Sequence, residues 1–161
     1  MTPDTVIATL CHELGHGIGG LPLKKKKDLE PISTEGQSDY FAYRICLERM
    51  FKRVRATAPV LAVSPFVERI CRTQSASAED LEFCFRGFQT LEIERMLFKQ
   101  SQNIETSYET PDTSVVSEVN HSETYYPSAQ CRIDTMIAGL LKLERPLCWW
   151  APAVSTSAKP K

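Results

Sequence analysis

Apolar and polar residues alternate along most of the chain with the period of an α-helix. In one stretch, for example, Leu81, Phe85 and Phe88 recur at intervals of four and three residues, which places them on one helix face. We predict helices at roughly 3–16, 34–56, 65–72, 77–100 and 128–143. The pattern therefore predicts a mainly α protein.

Local signals support several of these boundaries. A glycine-rich stretch at residues 17–20 ends the first helix. Ser33 or Thr34 can cap the second helix and places Glu35 in its first turn. Ser64 followed by a proline is a favourable start for the third helix.

Two segments lack the helical period. Residues 101–125 are polar, and we interpret them as a mobile surface segment, with a lid or lip of a cleft as the alternative. Residues 154–161 are expected to form a disordered tail, so the predicted domain covers residues 1–153.

Composition narrows the class of protein. The length of 161 residues fits one domain, and the net charge of −1 argues against nucleic acid as a main partner. Because no run of about 20 apolar residues occurs, no transmembrane helix is expected. The N-terminus also lacks the features of an ordinary signal peptide.

The chain contains six cysteines, and their even number and wide spacing favour disulfides formed in an oxidising compartment. The sequence does not fix their connectivity. Because they close short loops, we favour the pairs Cys71–Cys84 and Cys131–Cys148. Cys11 lies on the first predicted helix, where we interpret it as a buried free thiol.

The sequence HELGH at residues 12–16 is a candidate metal-binding motif. Positions four apart share one face of a helix, so His12 and His16 can bind one metal ion. Glu13 lies about 100° around the helix, where it can act as general base toward a water molecule. Glu35 is a third candidate ligand. Asp39, one helical turn later, can accept the N–H of a ligand histidine and fix its tautomer.

The combination of HELGH with EGQSD at residues 35–39 resembles the gluzincins, which are zinc peptidases. The resemblance implies a Zn²⁺ ion held by His12, His16 and Glu35, with Glu13 as the catalytic base. It also implies that Asp39 supports a ligand without binding the metal.

Two later segments, at residues 126–135 and 145–150, resemble a narrower group of bacterial secreted or periplasmic zincin-like proteins. We therefore expect the parent protein to be periplasmic or secreted. A zinc peptidase also needs a donor for the oxyanion. We favour Tyr126, which adjoins the first of these segments, over His121, Tyr125 and Arg132.

Gluzincins carry a β-sheet subdomain before the HExxH helix, and its edge strand holds the substrate. Only eleven residues precede His12 here. We therefore expect the chain to be the helical C-terminal half of a zincin-like domain, truncated at its N-terminus. The expected function is zinc-dependent hydrolysis of peptide or protein substrates. One alternative is a non-catalytic zinc-binding helical module, inactive because it lacks the sheet. A weaker alternative is a metal-free helical interaction protein.

Other residues have simpler interpretations. The lysine run at residues 24–27 is interpreted as a solvated loop. Trp149 and Trp150 are expected to anchor the core rather than to bind a ligand. Arg132 and Asp134 lie two residues apart and do not face each other on a helix, so each is expected to pair with another element.

Overall fold

The structure is a computed structural model that describes residues 2–26, 29–54 and 63–152. It is mainly α, which confirms the predicted fold class. The elements in chain order are α1 (Pro3–Ile18), β1 (Leu23–Lys26), β2 (Leu29–Ser33), α2 (Glu35–Phe41), a π-helical segment (Ala42–Cys46), α3 (Leu47–Phe51), α4 (Pro65–Gln74), α5 (Ala78–Gln102) and α6 (Ala129–Leu140). The predicted tail at 154–161 lies outside the described residues, as do residues 55 and 56 of the second predicted helix.

Helix α1 begins at a proline that follows Thr2, whose hydroxyl accepts a hydrogen bond from the Thr5 amide at 3.2 Å. The helix continues through Gly17 to Ile18, two residues beyond the predicted end. Gly17 therefore does not stop it. The chain leaves the helix only where Gly20 adopts a φ of 83°, a left-handed conformation that glycine tolerates.

Strands β1 and β2 form an antiparallel pair that connects α1 to α2, and the hydrophobic pattern does not predict it. Lys24 lies opposite Ile32 in the register. The backbone N–H of Lys25 donates to the carbonyl oxygen of His121 at 3.2 Å, so distant residues hold β1 in place. Lysine has a low intrinsic preference for strands, which explains why this hairpin depends on tertiary contacts.

The second predicted helix is one continuous rod made of α2, the π-helical segment and α3. The hydroxyl of Thr34 caps it by accepting from the Gln37 amide at 3.4 Å. Cys46 in the π-helical segment forms a disulfide with Cys11 on α1. The prediction of a free thiol at Cys11 is therefore wrong, because the two helices pack closely enough to bring these Cα atoms to 5.6 Å.

The two favoured disulfides are confirmed. Cys71–Cys84 joins α4 to α5, and Cys131–Cys148 joins α6 to the segment that follows it. Together with Cys11–Cys46 they use all six cysteines. This pattern is typical of a protein that matures in an oxidising compartment. None of the described helices is long and apolar enough to cross a membrane.

The C-terminal disulfide positions an aromatic anchor. Trp149 follows Cys148 and is buried, and its indole packs directly on Gly36 in the first turn of α2. This confirms Trp149 as a core residue, while Trp150 is only partly buried beside it. The indole therefore encloses the first turn of α2 at Gly36.

The polar segment after α5 contains no helix, as predicted, but many hydrogen bonds fasten it to the rest of the molecule. The Arg95 guanidinium donates to the carbonyl oxygen of Thr106 at 3.1 Å. The amide of Ser107 donates to the Gln130 side chain at 2.8 Å. Through its contact with β1, this segment forms one border of the hairpin. These contacts fasten the segment to α5, α6 and β1, while the cleft described below is lined by other residues.

Candidate metal centre

The two histidines of HELGH lie one turn apart on α1 and face the first turn of α2. Their rings pack edge to face with centroids 4.8 Å apart. Close approach of the two helices is possible because Gly15 lies between the histidines. A Cβ atom at that position would be 2.9 Å from the Cα of Ser38. Gly15 therefore allows α1 and α2 to pack closely enough to bring the histidines beside Glu35.

Each histidine is held by its Nδ1 atom. His12 Nδ1 lies 2.8 Å from Oδ1 of Asp39, and His16 Nδ1 lies 2.9 Å from the carbonyl oxygen of Ser33. The Ser38 hydroxyl lies 2.9 Å from the same His16 nitrogen, and because a carbonyl oxygen can only accept, the contact with Ser33 favours a proton on His16 Nδ1. With Nδ1 engaged on both rings, the Nε2 atom of each ring faces Glu35 and is the atom that can bind a metal. This is the usual orientation of ligand histidines.

Glu35 completes the set from the first turn of α2, where it is buried. Its Oε2 lies 3.4 Å from His12 Nε2, and its Oε1 lies 3.5 Å from His16 Nε2. One ligand atom from each of the three residues lies within 4.8 Å of the other two. The structure therefore brings together the three residues that the sequence motif predicts as metal ligands.

These distances fit a zinc site. Tetrahedral ligands that lie about 2.0–2.2 Å from zinc are separated from one another by about 3.3–3.6 Å. Both separations between Nε2 and the Glu35 carboxylate fall within that range. The donor set of two imidazoles and one carboxylate is also one that zinc uses in catalytic sites.

Buried charged neighbours shift the pKa values of two ligand residues. Burial by itself lowers the pKa of His12, but hydrogen bonds to Asp39 and Glu35 outweigh it and raise that pKa to about 10. Burial by itself raises the pKa of Glu35, but His12 and Lys24 lower it to about 2. Glu35 is therefore ionised, as a metal ligand must be. A potential that favours a proton on His12 also favours a metal cation at the same place.

Asp39 is fully buried and is shared between two partners. Besides His12, it accepts hydrogen bonds from Arg132 on α6, with Nε 2.7 Å from its Oδ2. Burial alone would raise the pKa of Asp39, but the guanidinium of Arg132 lowers it to about 2. As expected, Arg132 thus pairs with another element. Its specific role in fixing Asp39 is not readable from the sequence.

Lys24 contradicts the interpretation of the lysine run as a solvated loop. Its side chain is buried, with 6% of the residue exposed, and its Nζ donates to Oε1 of Glu35 at 2.6 Å. Lys25, the next residue of the strand, is exposed. The alternation of a β-strand therefore turns Lys24 inward toward the site.

The ligand set lies in a cleft of about 650 Å³. Glu13 lines this cleft, is exposed and is not one of the three clustered ligand residues. Tyr126 lies at the rim, 58% exposed, with its ring centroid 5.3 Å from the Nζ of Lys24. Glu94 of α5 also lines the cleft, and burial raises its pKa. The spacing of apolar residues in α5 does not indicate that Glu94 lies in this cleft.

The chain matches no protein-family profile, no curated protein and no solved structure. The gluzincin assignment therefore stays a proposal. Its support is the sequence motif and the side-chain geometry described above.

Proposed function

We propose that this chain is a zinc-dependent metallopeptidase domain of the gluzincin type, which hydrolyses peptide or protein substrates. One observation carries the proposal. The Nε2 atoms of His12 and His16 converge with the Glu35 carboxylate in a cleft that Glu13 also lines. A purely structural metal site needs ligands only, whereas Glu13 is an additional carboxylate placed beside them.

The ligand residues are held by their neighbours. Asp39 fixes the ring of His12, and the carbonyl of Ser33 fixes the ring of His16. Zinc, when bound, supplies a Lewis acid and lowers the pKa of water. Glu13 is one residue from a ligand and lines the same cleft. It accepts the proton of the attacking water and delivers it to the leaving amine.

Tyr126 is our candidate for stabilising the oxyanion. It lies at the rim of the same cleft, on the segment that precedes α6. A phenol at this position can donate a hydrogen bond to a carbonyl oxygen that gains negative charge. We expect Tyr126→Phe to lower kcat by about 10²–10³-fold without changing zinc content.

The three disulfides support a secreted or periplasmic location for the parent protein. In such a compartment thiols are oxidised and the disulfides persist. A peptidase there meets extracellular or periplasmic peptides as its substrates.

Zinc binding is tested by metal analysis of purified protein. We expect one zinc per chain for the wild type and much less for His16→Gln. His121→Gln is the matched control, because His121 is the one histidine outside the site and Gln can still donate to the Leu23 carbonyl that it contacts. Equal zinc content in His16→Gln and His121→Gln would contradict the proposed ligand set.

Catalysis is tested with Glu13→Gln on a mixed peptide library. The substitution preserves size and removes the proton acceptor, so hydrolysis should fall to background while zinc stays bound. The matched control is Glu144→Gln, an exposed glutamate away from the cleft. Unchanged hydrolysis in Glu13→Gln would show that another group is the base.

A non-catalytic zinc-binding module is the second candidate, and the hairpin favours it. An extended substrate needs a strand edge with available N–H and C=O groups. In β1, however, the Lys25 amide already donates to His121, and β2 contains Pro31, which has no N–H. If this candidate is correct, the wild type binds zinc but cleaves no member of the peptide library.

A further inference from the structure

Lys24 occupies an unusual place for a lysine. It is buried on β1, and its Nζ lies 2.6 Å from Oε1 of Glu35, a candidate metal ligand. The face of the Tyr126 ring lies 5.3 Å from the same Nζ. Burial of a lysine is costly unless its charge is paired, and the partner here is the Glu35 carboxylate. The contact between Lys24 and Glu35 is therefore a buried ion pair rather than a surface ion pair.

Both buried carboxylates of the site are paired with a cation from another element. Arg132 pairs with Asp39, and Lys24 pairs with Glu35. The two pairs differ in one respect. Asp39 faces the metal only through the ring of His12, whereas Glu35 is itself a candidate ligand. Arg132 can therefore remain beside Asp39 when a metal binds, but Lys24 and the metal must share one carboxylate.

The contact between Lys24 and Glu35 works against metal binding. Lys24 and His16 both approach Oε1 of Glu35, while Oε2 faces His12. A hydrogen bond from an ammonium group withdraws electron density from the carboxylate and makes it a poorer ligand. The positive charge also repels a divalent cation a few ångströms away. Both effects weaken metal binding.

We infer that Lys24 is a built-in competitor for Glu35 that lowers the affinity of the site for zinc and keeps the ion exchangeable. The inference rests on the proposed zinc site. Lys24 acts through Glu35, so it is a positioning residue. A wild-type site of this kind binds zinc more weakly than its three ligands alone allow.

The test is the zinc dissociation constant, measured by competition with a chromophoric chelator. Lys24→Met removes the charge and keeps the length of the side chain. We expect zinc to bind at least about tenfold more tightly, since a like charge a few ångströms from a divalent ion is worth roughly this factor even at a dielectric near that of water. Lys25→Met is the matched control on the same strand, with its side chain exposed, and should stay within about twofold of wild type.

Lys24→Met leaves the buried Glu35 carboxylate without its cation and can fail to fold, so a second variant is measured beside it. Lys24→Gln can still donate a hydrogen bond but carries no charge, and it should also bind zinc more tightly than wild type. Circular dichroism identifies which variants are folded. Unchanged or weaker zinc binding in a folded Lys24 variant overturns the inference, because Lys24 would then be neutral or would organise Glu35 for the metal.

The outcomes separate this inference from the proposed function. If the wild type binds no zinc, the proposed site fails and the inference fails with it. If the wild type binds zinc and the Lys24 variants bind it equally well, only the inference fails.

Discussion

Gly36 lies one residue after Glu35, and no side chain larger than hydrogen fits there. A Cβ atom at this position would lie 2.4 Å from Cδ2 of Trp149 and 2.7 Å from two further ring atoms. Carbon atoms prefer separations of about 3.5–4.0 Å, so the overlap would be more than about 1 Å at one atom. We predict that Gly36→Ala destabilises the fold and displaces the first turn of α2.

The indole has little freedom to move away. Trp149 is 2% exposed, and the residue before it is tied to α6 by the Cys131–Cys148 disulfide. Overpacking of this kind costs about 1–3 kcal/mol. For a domain of this size, each 1 kcal/mol corresponds to about 2–4 °C in Tm. We therefore expect Gly36→Ala to lower Tm by about 2–12 °C, with weaker zinc binding because Glu35 is displaced.

Gly17→Ala is the matched control. It makes the same chemical change in α1, where an added Cβ would meet nothing within 4 Å. In a helix interior, alanine is favoured over glycine by about 0.5–1 kcal/mol. Gly17 lies in the last turn of α1, so this variant should be as stable as wild type or slightly more stable. Thermal or urea unfolding followed by circular dichroism measures both changes. A Gly36→Ala protein as stable as Gly17→Ala would refute the packing argument.

Two further predictions concern the site and its frame. Asp39→Ala should weaken zinc binding about 10–100-fold, because His12 loses the partner that orients it. Asp134→Ala, which removes a carboxylate on α6 away from the site, is its control, and equal zinc affinity in the two variants would argue against a role for Asp39. Replacing both Cys11 and Cys46 by alanine should lower the free energy of unfolding by up to about 4 kcal/mol, the loop-entropy value for a sequence separation of 35. Chemical unfolding measures it, and an unchanged midpoint would show that the disulfide adds no stability.

Much of the site is readable from the sequence because its information is local. The helical period places His12 and His16 on one face, and the same rule relates Glu35 to Asp39. What the period does not contain is the relation between the two helices. The structure supplies it through Gly15 and the backbone of Ser38, which are in close contact.

Lys24 and Cys11 show why other predictions fail. A lysine within a lysine run is typical of a solvated loop, and only the pairing of β1 with β2 turns Lys24 toward Glu35. Cys11 pairs with a cysteine 35 residues away, on an element whose π-helical geometry the sequence does not indicate. The Cys71–Cys84 and Cys131–Cys148 disulfides are easier to predict, because each joins cysteines that are close in the sequence.

The paired charges of the site have a consequence for the removal of metal. Lys24 and Arg132 already neutralise the two buried carboxylates, and the Cys11–Cys46 disulfide joins the helix of the histidines to the rod that carries Glu35. We therefore expect this chain to fold without an ion, unlike a zinc finger, which is unfolded without metal. A chelator such as EDTA should strip zinc and leave the helical circular dichroism spectrum intact, and added zinc should restore the loaded state without refolding. The zinc ion would then be exchangeable, and the protein would stay folded in its absence.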